Sequence, residues 1–115
     1  MTRLEGEIAL VTGASRGIGQ AIAHELGRRG AVVVGTATTE AGAEAIGQDL
    51  RQHGAKGCGL CLDVADPASV DATIKAVIQA FGAPTILVNN AGIARDNLLL
   101  RMKEEDWITV LDTNL

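Results

Sequence analysis

Gly13, Gly17 and Gly19 stand at the junction of an apolar run and an amphipathic stretch, in Leu10-Val11-Thr12-Gly13-Ala14-Ser15-Arg16-Gly17-Ile18-Gly19. Residues without side chains at such a junction let a backbone turn sharply and come close to a phosphate. Glycine trios occur by chance, and many glycines only close turns, so the context has to carry the reading. Here the trio follows a strand-like run, opens a helical pattern and begins a βαβ unit. In dinucleotide-binding turns of that kind, Gly13 would permit the bend, Gly17 would admit the pyrophosphate, and Gly19 would let helix and strand pack closely. Amides at the helix start, aided by the helix dipole, would hold the negative charge. The Gly-x-x-x-Gly-x-Gly spacing lacks the Lys-Ser/Thr ending of a triphosphate loop, which argues against an ATPase.

The elements that must position this turn are readable from periodicity. Ile8 to Val11 is a short apolar strand, and Gly17 to Arg29 places Ile18, Ala21, Ile22, Glu25 and Leu26 along one face of a helix that Gly30 closes. Ala31 to Thr36 is a β-branched run suited to a buried parallel strand, which makes residues 7–36 a βαβ unit. Glu40 to His53 repeats the helical spacing through Ala43, Ile46 and Leu50, and Gly59 to Val64 reads as a third strand. Asp66 and Pro67 then suit a helix cap and first turn, with Val70, Ile74, Val77, Ile78 and Phe81 as the buried face. Thr85 to Asn89 is a fourth strand ending in Asn90-Ala91-Gly92, and Trp107, Ile108, Val110, Leu111 and Leu115 suggest a last helix. The expected fold class is α/β: a Rossmann-type, doubly wound parallel sheet of order 3-2-1-4, with its C-terminal strands absent and strand 4 at an open edge. The crevice would open at the carboxyl ends of strands 1 and 4, where the winding reverses.

Composition agrees with covered sheets. Of 115 residues 47% are hydrophobic, yet Trp107 and Phe81 are the only aromatics, so burial falls to Ala, Val, Ile and Leu. A net charge of -4 argues against a nucleic-acid partner. The early apolar run is too short for a membrane span or signal-peptide core, and two cysteines suit a reducing compartment, so a cytoplasmic protein without membrane contact is expected.

Thr12 to Gly19 together with Asn89-Asn90-Ala91-Gly92 resembles the short-chain dehydrogenase/reductase family over nearly the whole chain. The resemblance implies a cofactor site of Gly13, Ala14, Ser15, Arg16, Gly17, Ile18, Gly19, Thr38, Asp63, Val64, Asn90, Ala91 and Gly92. Asp63 would accept from the adenine amino group, Asn90 would lie near the nicotinamide ribose, and Asn89 reads as structural. Asn114, in Asp112-Thr113-Asn114-Leu115, matches the family asparagine that completes the catalytic set through a water relay; a helical residue bonded to backbone is the bland alternative. The family's serine and Tyr-x-x-x-Lys pair would lie after residue 115, since the chain contains no tyrosine. Residues 1–115 are thus expected to be a dinucleotide-binding domain that stops before them and is inactive alone.

Cofactor choice follows from charge. Folds that choose NAD commonly carry a carboxylate at the end of strand 2, whereas here that end reads Thr36-Ala37-Thr38. With Arg16 in the turn to meet a 2′-phosphate, NADP(H) is expected; a solvated Arg16 is the alternative. Gly35 to Thr38 and Ile93 to Lys103 resemble family members of bacterial fatty-acid synthesis. These reduce 3-oxoacyl groups on acyl carrier protein and imply a homotetramer. Another β-ketoacyl thioester such as acetoacetyl-CoA, or a non-catalytic dinucleotide-binding fragment, remains open. Arg101, Lys103 and Leu98 to Leu100 suit either an acyl pocket or, preferably, a subunit contact.

No metal site is expected. Cys58 and Cys61 have C-x-x-C spacing, but residues three apart on a strand point to opposite faces and no second pair exists. His24 and His53 read as surface residues with no ligand set beside them.

Overall fold

The computed structural model describes residues 3–90 and 109–112. Five strands form one sheet: β1 (Ile8–Val11), β2 (Val32–Ala37), β3 (Lys56–Cys61), β4 (Ile86–Asn89) and β5 (Thr109–Asp112). Between them run α1 (Gly17–Arg28), α2 (Glu40–Gln52) and α3 (Pro67–Ala80). The order is β3-β2-β1-β4-β5, with every pair parallel. The expected core order 3-2-1-4 is therefore present.

Alternation along the strands divides the core into two layers. Leu10, Val34 and Leu87 point to one face and pack with Val70, Ile74 and Val77 of α3. Val11, Val33 and Val88 point to the other and pack with Ala23 of α1 and with Ile46 and Leu50 of α2. Helices on opposite faces follow from the connections: β1 to β3 winds one way from the centre, and α3 carries the chain back across to β4. Val11 registers with Gly35 of β2 and with Val88 of β4, so β1 ends between two neighbours whose carboxyl ends lie beside its own.

Four expectations are corrected. β3 begins at Lys56 and ends at Cys61, leaving Asp63 and Val64 in the loop that follows. Its glycines meet neighbouring backbone closely: a Cβ on Gly57, at φ +134°, would stand 1.7 Å from the Val33 carbonyl oxygen of β2, and one on Gly59 1.9 Å from the Ala43 carbonyl oxygen of α2. Thr109–Asp112 is a strand, not part of a helix; Ile86 pairs with Thr109 and Asn89 with Asp112. β-branched Thr109 and Val110 suit this conformation, and the pairing satisfies the edge of β4 that would otherwise be open. Ile18 is 61% exposed, and Ile78 and Phe81 are each 37% exposed, so the apolar faces of α1 and α3 extend past what the sheet covers. The rest of the last helical pattern, and Leu98 to Lys103, fall outside the described residues.

Helix starts separate into two kinds. Thr39 caps α2, its Oγ1 accepting from the Gly42 amide at 3.0 Å, and Asp66 caps α3, its Oδ1 accepting from the Ala68 amide at 3.0 Å with Pro67 in the first turn. α1 has no side-chain cap at all. Asp66→Ala is expected to lower stability by about 1 kcal/mol, read as a lower urea midpoint with unchanged slope.

Candidate functional site

The uncapped start of α1 faces the carboxyl end of β1, and the turn between them is anchored on both sides. Toward β2, the Ala14 amide donates to the Thr36 carbonyl at 2.9 Å. Toward β4, the Thr12 amide donates to the Val88 carbonyl at 3.0 Å, and the Thr12 hydroxyl accepts from the Asn90 amide at 2.9 Å. The Asn90 side chain then donates through Nδ2 to the Gly13 carbonyl at 3.0 Å. Asn90 thus joins the glycine turn to the end of β4, at the point where the sheet changes winding direction.

The glycines divide their work as their positions require. Gly17 has φ +64°, a left-handed conformation that side chains disfavour, and a Cβ there would meet nothing within 4 Å among the described residues. The space in front of the first helical residue is therefore open. Gly19 is the opposite case: its Cβ would lie 2.2 Å from the Gly13 carbonyl oxygen and 2.6 Å from Asn90 Nδ2. Close packing at Gly19 holds the helix start against the turn, and the open side at Gly17 exposes its amides. Amides with no cap, at the positive end of a helix dipole, suit the pyrophosphate of a dinucleotide.

Other expected site residues surround this core. Ser15, Arg16 and Ile18 are exposed, and Ala14 is buried under the turn. Arg16 makes no ion pair or hydrogen bond through its side chain to any described residue, so its guanidinium is available to an anion. Thr36 and Ala37 are buried inside β2, which leaves Thr38 as the first exposed residue past its end. Asp63 is exposed; one carboxylate oxygen accepts from the Ala65 amide at 3.0 Å, while the Asp63 amide donates to Ser69 Oγ at 3.0 Å. Asn89 is buried, its Oδ1 3.4 Å from the Thr12 hydroxyl, and its Nδ2 has no partner among the described residues. Ala91, Gly92 and Asn114 lie outside the described residues.

Thr12 was not among the expected site residues, although it braces the turn. Its signal is a hydroxyl residue, fully buried, at the end of an otherwise apolar run. A cavity of about 380 Å³ lies elsewhere, lined by Arg3, Glu5, Gly30, His53 and Lys56 at the amino ends of the strands, and contains no residue of the turn.

The histidines require a correction. His24 Nε2 meets Asp49 Oδ2, and His53 Nδ1 lies 2.8 Å from the Asp49 carbonyl oxygen. Packing of α1 beside α2 joins residues 25 positions apart, which no local spacing reveals. The cysteines separate as expected: Cys58 packs against the α3-side core and Cys61 is exposed, its Sγ donating to the Thr38 carbonyl at 3.4 Å. Burial pushes the Cys58 thiol above the ordinary thiol range, which lowers its thiolate fraction at any given pH. Iodoacetamide is therefore expected to label Cys61 first, with Cys58 labelling only at higher pH, as read by peptide mass spectrometry.

A parallel sheet wound both ways from a central strand, with an uncapped helix at its switch point, defines a Rossmann-type α/β fold. The chain belongs to the short chain dehydrogenase family, whose sequence profile matches residues 7–115. It is 61% identical over 112 residues to the 3-oxoacyl-[acyl-carrier-protein] reductase FabG of Pseudomonas aeruginosa, covering 97% of this chain and 45% of that protein. The FabG reductase of Escherichia coli is 60% identical over 111 residues, 96% of this chain and 44% of the relative. That of Haemophilus influenzae is 55% identical over 112 residues, 97% and 45% respectively. The chain thus spans less than half the length of the curated relatives it matches. Among the described residues no helix is long and apolar enough to cross a membrane.

Proposed function

We propose that this chain is the dinucleotide-binding half of an NADPH-dependent oxidoreductase that converts 3-oxoacyl-[acyl-carrier-protein] to the 3-hydroxyacyl form in fatty-acid synthesis. The observation that carries the reading is the start of α1, open in front of Gly17 and without a cap while α2 and α3 have one. Similarity to reductases of that name supports the substrate class. When bound, the nicotinamide supplies the hydride.

The chain's own residues bind and orient. Amides from Gly13 to Gly19 hold the pyrophosphate, with Ile18 offering an apolar surface at the mouth. Arg16 pairs with the 2′-phosphate, and Thr38 leaves that end of β2 without a repelling carboxylate. Asp63 accepts from the adenine amino group and Val64 borders the ring. Asn90, fixed to Gly13, positions the nicotinamide ribose, and Ala91 and Gly92 belong to the same cofactor site. Asn114 serves the proton relay, while the serine and Tyr-x-x-x-Lys pair belong to another part of the protein. The assembled enzyme is a cytoplasmic homotetramer.

Parallel assays of the intact protein with acetoacetyl-acyl carrier protein and acetoacetyl-CoA, following NADPH consumption, test the reading. The expected result is a higher kcat/KM for the carrier-bound substrate. Equal or better use of the CoA thioester would transfer the assignment to a CoA-dependent reductase, and no NADPH consumption with either would refute it.

A further inference from the structure

We propose that His24, Asp49 and His53 form a binding site for one divalent transition-metal ion of the zinc type, joining the outer faces of α1 and α2. One ligand atom from each of the three residues lies within 4.8 Å of the other two. Metal–ligand bonds of about 2.0–2.2 Å set tetrahedral ligand atoms about 3.4 Å apart, so side-chain movements of about 1 Å close the set. The positions invite that closure. Asp49, in the last turn of α2, and His53, which caps its end, are an i, i+4 pair, and His24 projects from the middle of α1. The two imidazole rings are stacked, with centroids 4.2 Å apart and planes inclined by 24°, and each turns a nitrogen to the Asp49 carboxylate, Nε2 of His24 to Oδ2 and Nδ1 of His53 at 3.5 Å from Oδ1.

Charge favours a cation here. The Asp49 carboxylate is one-quarter exposed and supplies the negative charge, and the carbonyl end of α2 adds the negative pole of its dipole. Glu25 neighbours His24 in sequence but is turned away, accepting from Arg28 Nη2 at 2.6 Å and from Arg29 Nε at 2.7 Å. Those bonds hold its carboxyl below the ordinary range, Arg28 contributing most, so Glu25 stays with its arginines. His24 Nε2 and Asp49 Oδ2 already face each other in contact. A cation binds between them through the unprotonated ring nitrogen, any proton held there being released to solvent. Two imidazoles and one carboxylate select Zn²⁺, Ni²⁺ or Cu²⁺ over the oxygen-seeking Mg²⁺ and Ca²⁺. His53 is half exposed, which leaves the ion reachable from solvent and a coordination position for water.

The test is a Zn²⁺ titration of the intact protein in competition with a chromogenic chelator, in a Cys58→Ser/Cys61→Ser background that removes the thiols. The expected result is a Zn²⁺ ion whose Kd rises at least about 10-fold in His24→Gln and again in His53→Gln, the scale on which even outer-shell partners act. Zn²⁺ should also raise Tm in the parent and not in either variant, while Mg²⁺ raises neither. His53→Gln alters a half-exposed side chain, so its metal-free melt reports a folded control even if His24→Gln does not fold. Unchanged Zn²⁺ affinity in His53→Gln, loss of binding on removing the two thiols, or an equal response to Mg²⁺ would overturn the proposal. None of these readouts depends on reductase activity.

Discussion

Gly19→Ala in the intact protein is expected to weaken dinucleotide binding about 10- to 100-fold, the equivalent of the roughly 1–3 kcal/mol that overpacking costs. The added methyl would stand 2.2 Å from the Gly13 carbonyl oxygen, a backbone atom, and 2.6 Å from Asn90 Nδ2. Neither neighbour can swing aside freely, because the two are hydrogen-bonded to each other at 3.0 Å. Either α1 retreats from β1 or the turn opens, and both displace the amides from the phosphate. Fluorescence titration with NADPH and a urea melt measure the two consequences together. Wild-type affinity with unchanged stability would show that the turn does not hold the cofactor through this packing.

Arg16→Ala is expected to raise the Kd for NADPH by about 10- to 100-fold, the scale of a lost hydrogen bond between charged groups, and to leave NADH nearly unaffected. The contrast arises because only NADPH carries the 2′-phosphate. Arg16 is exposed and its side chain is bonded to no described residue, so the melt of the variant should match that of the parent. Equal losses for the two cofactors would place Arg16 on the pyrophosphate or leave it as a solvated side chain.

Sequence periodicity was most informative where one face of an element is buried and the next is not. β1 and the starts of α1, α2 and α3 agree with expectation because caps, glycines and apolar spacing all mark them. β3 starts before the apolar run that marks it because Lys56 and Gly57 carry no strand signal, whereas bare Gly57 admits the Val33 carbonyl of β2, which a Cβ would meet at 1.7 Å, a tertiary demand. Apolar residues from Trp107 onward fit a helical period, yet Thr109 to Asp112 pair with β4; short apolar segments do not distinguish the two states. In the candidate site, the glycine spacing was legible because it is local. The Thr12–Asn90 brace and the His24–Asp49–His53 group were not, because each joins residues that only helix packing or strand pairing brings together.

The turn's carbonyl is tied to a side chain that enters the sheet some 77 positions later. A ligand gripping that turn can therefore bind only chains in which the fourth strand has docked. By mass action, its concentration becomes a control on that docking equilibrium, and saturation would protect the seam between the two central strands from hydrogen exchange before it protects the rim.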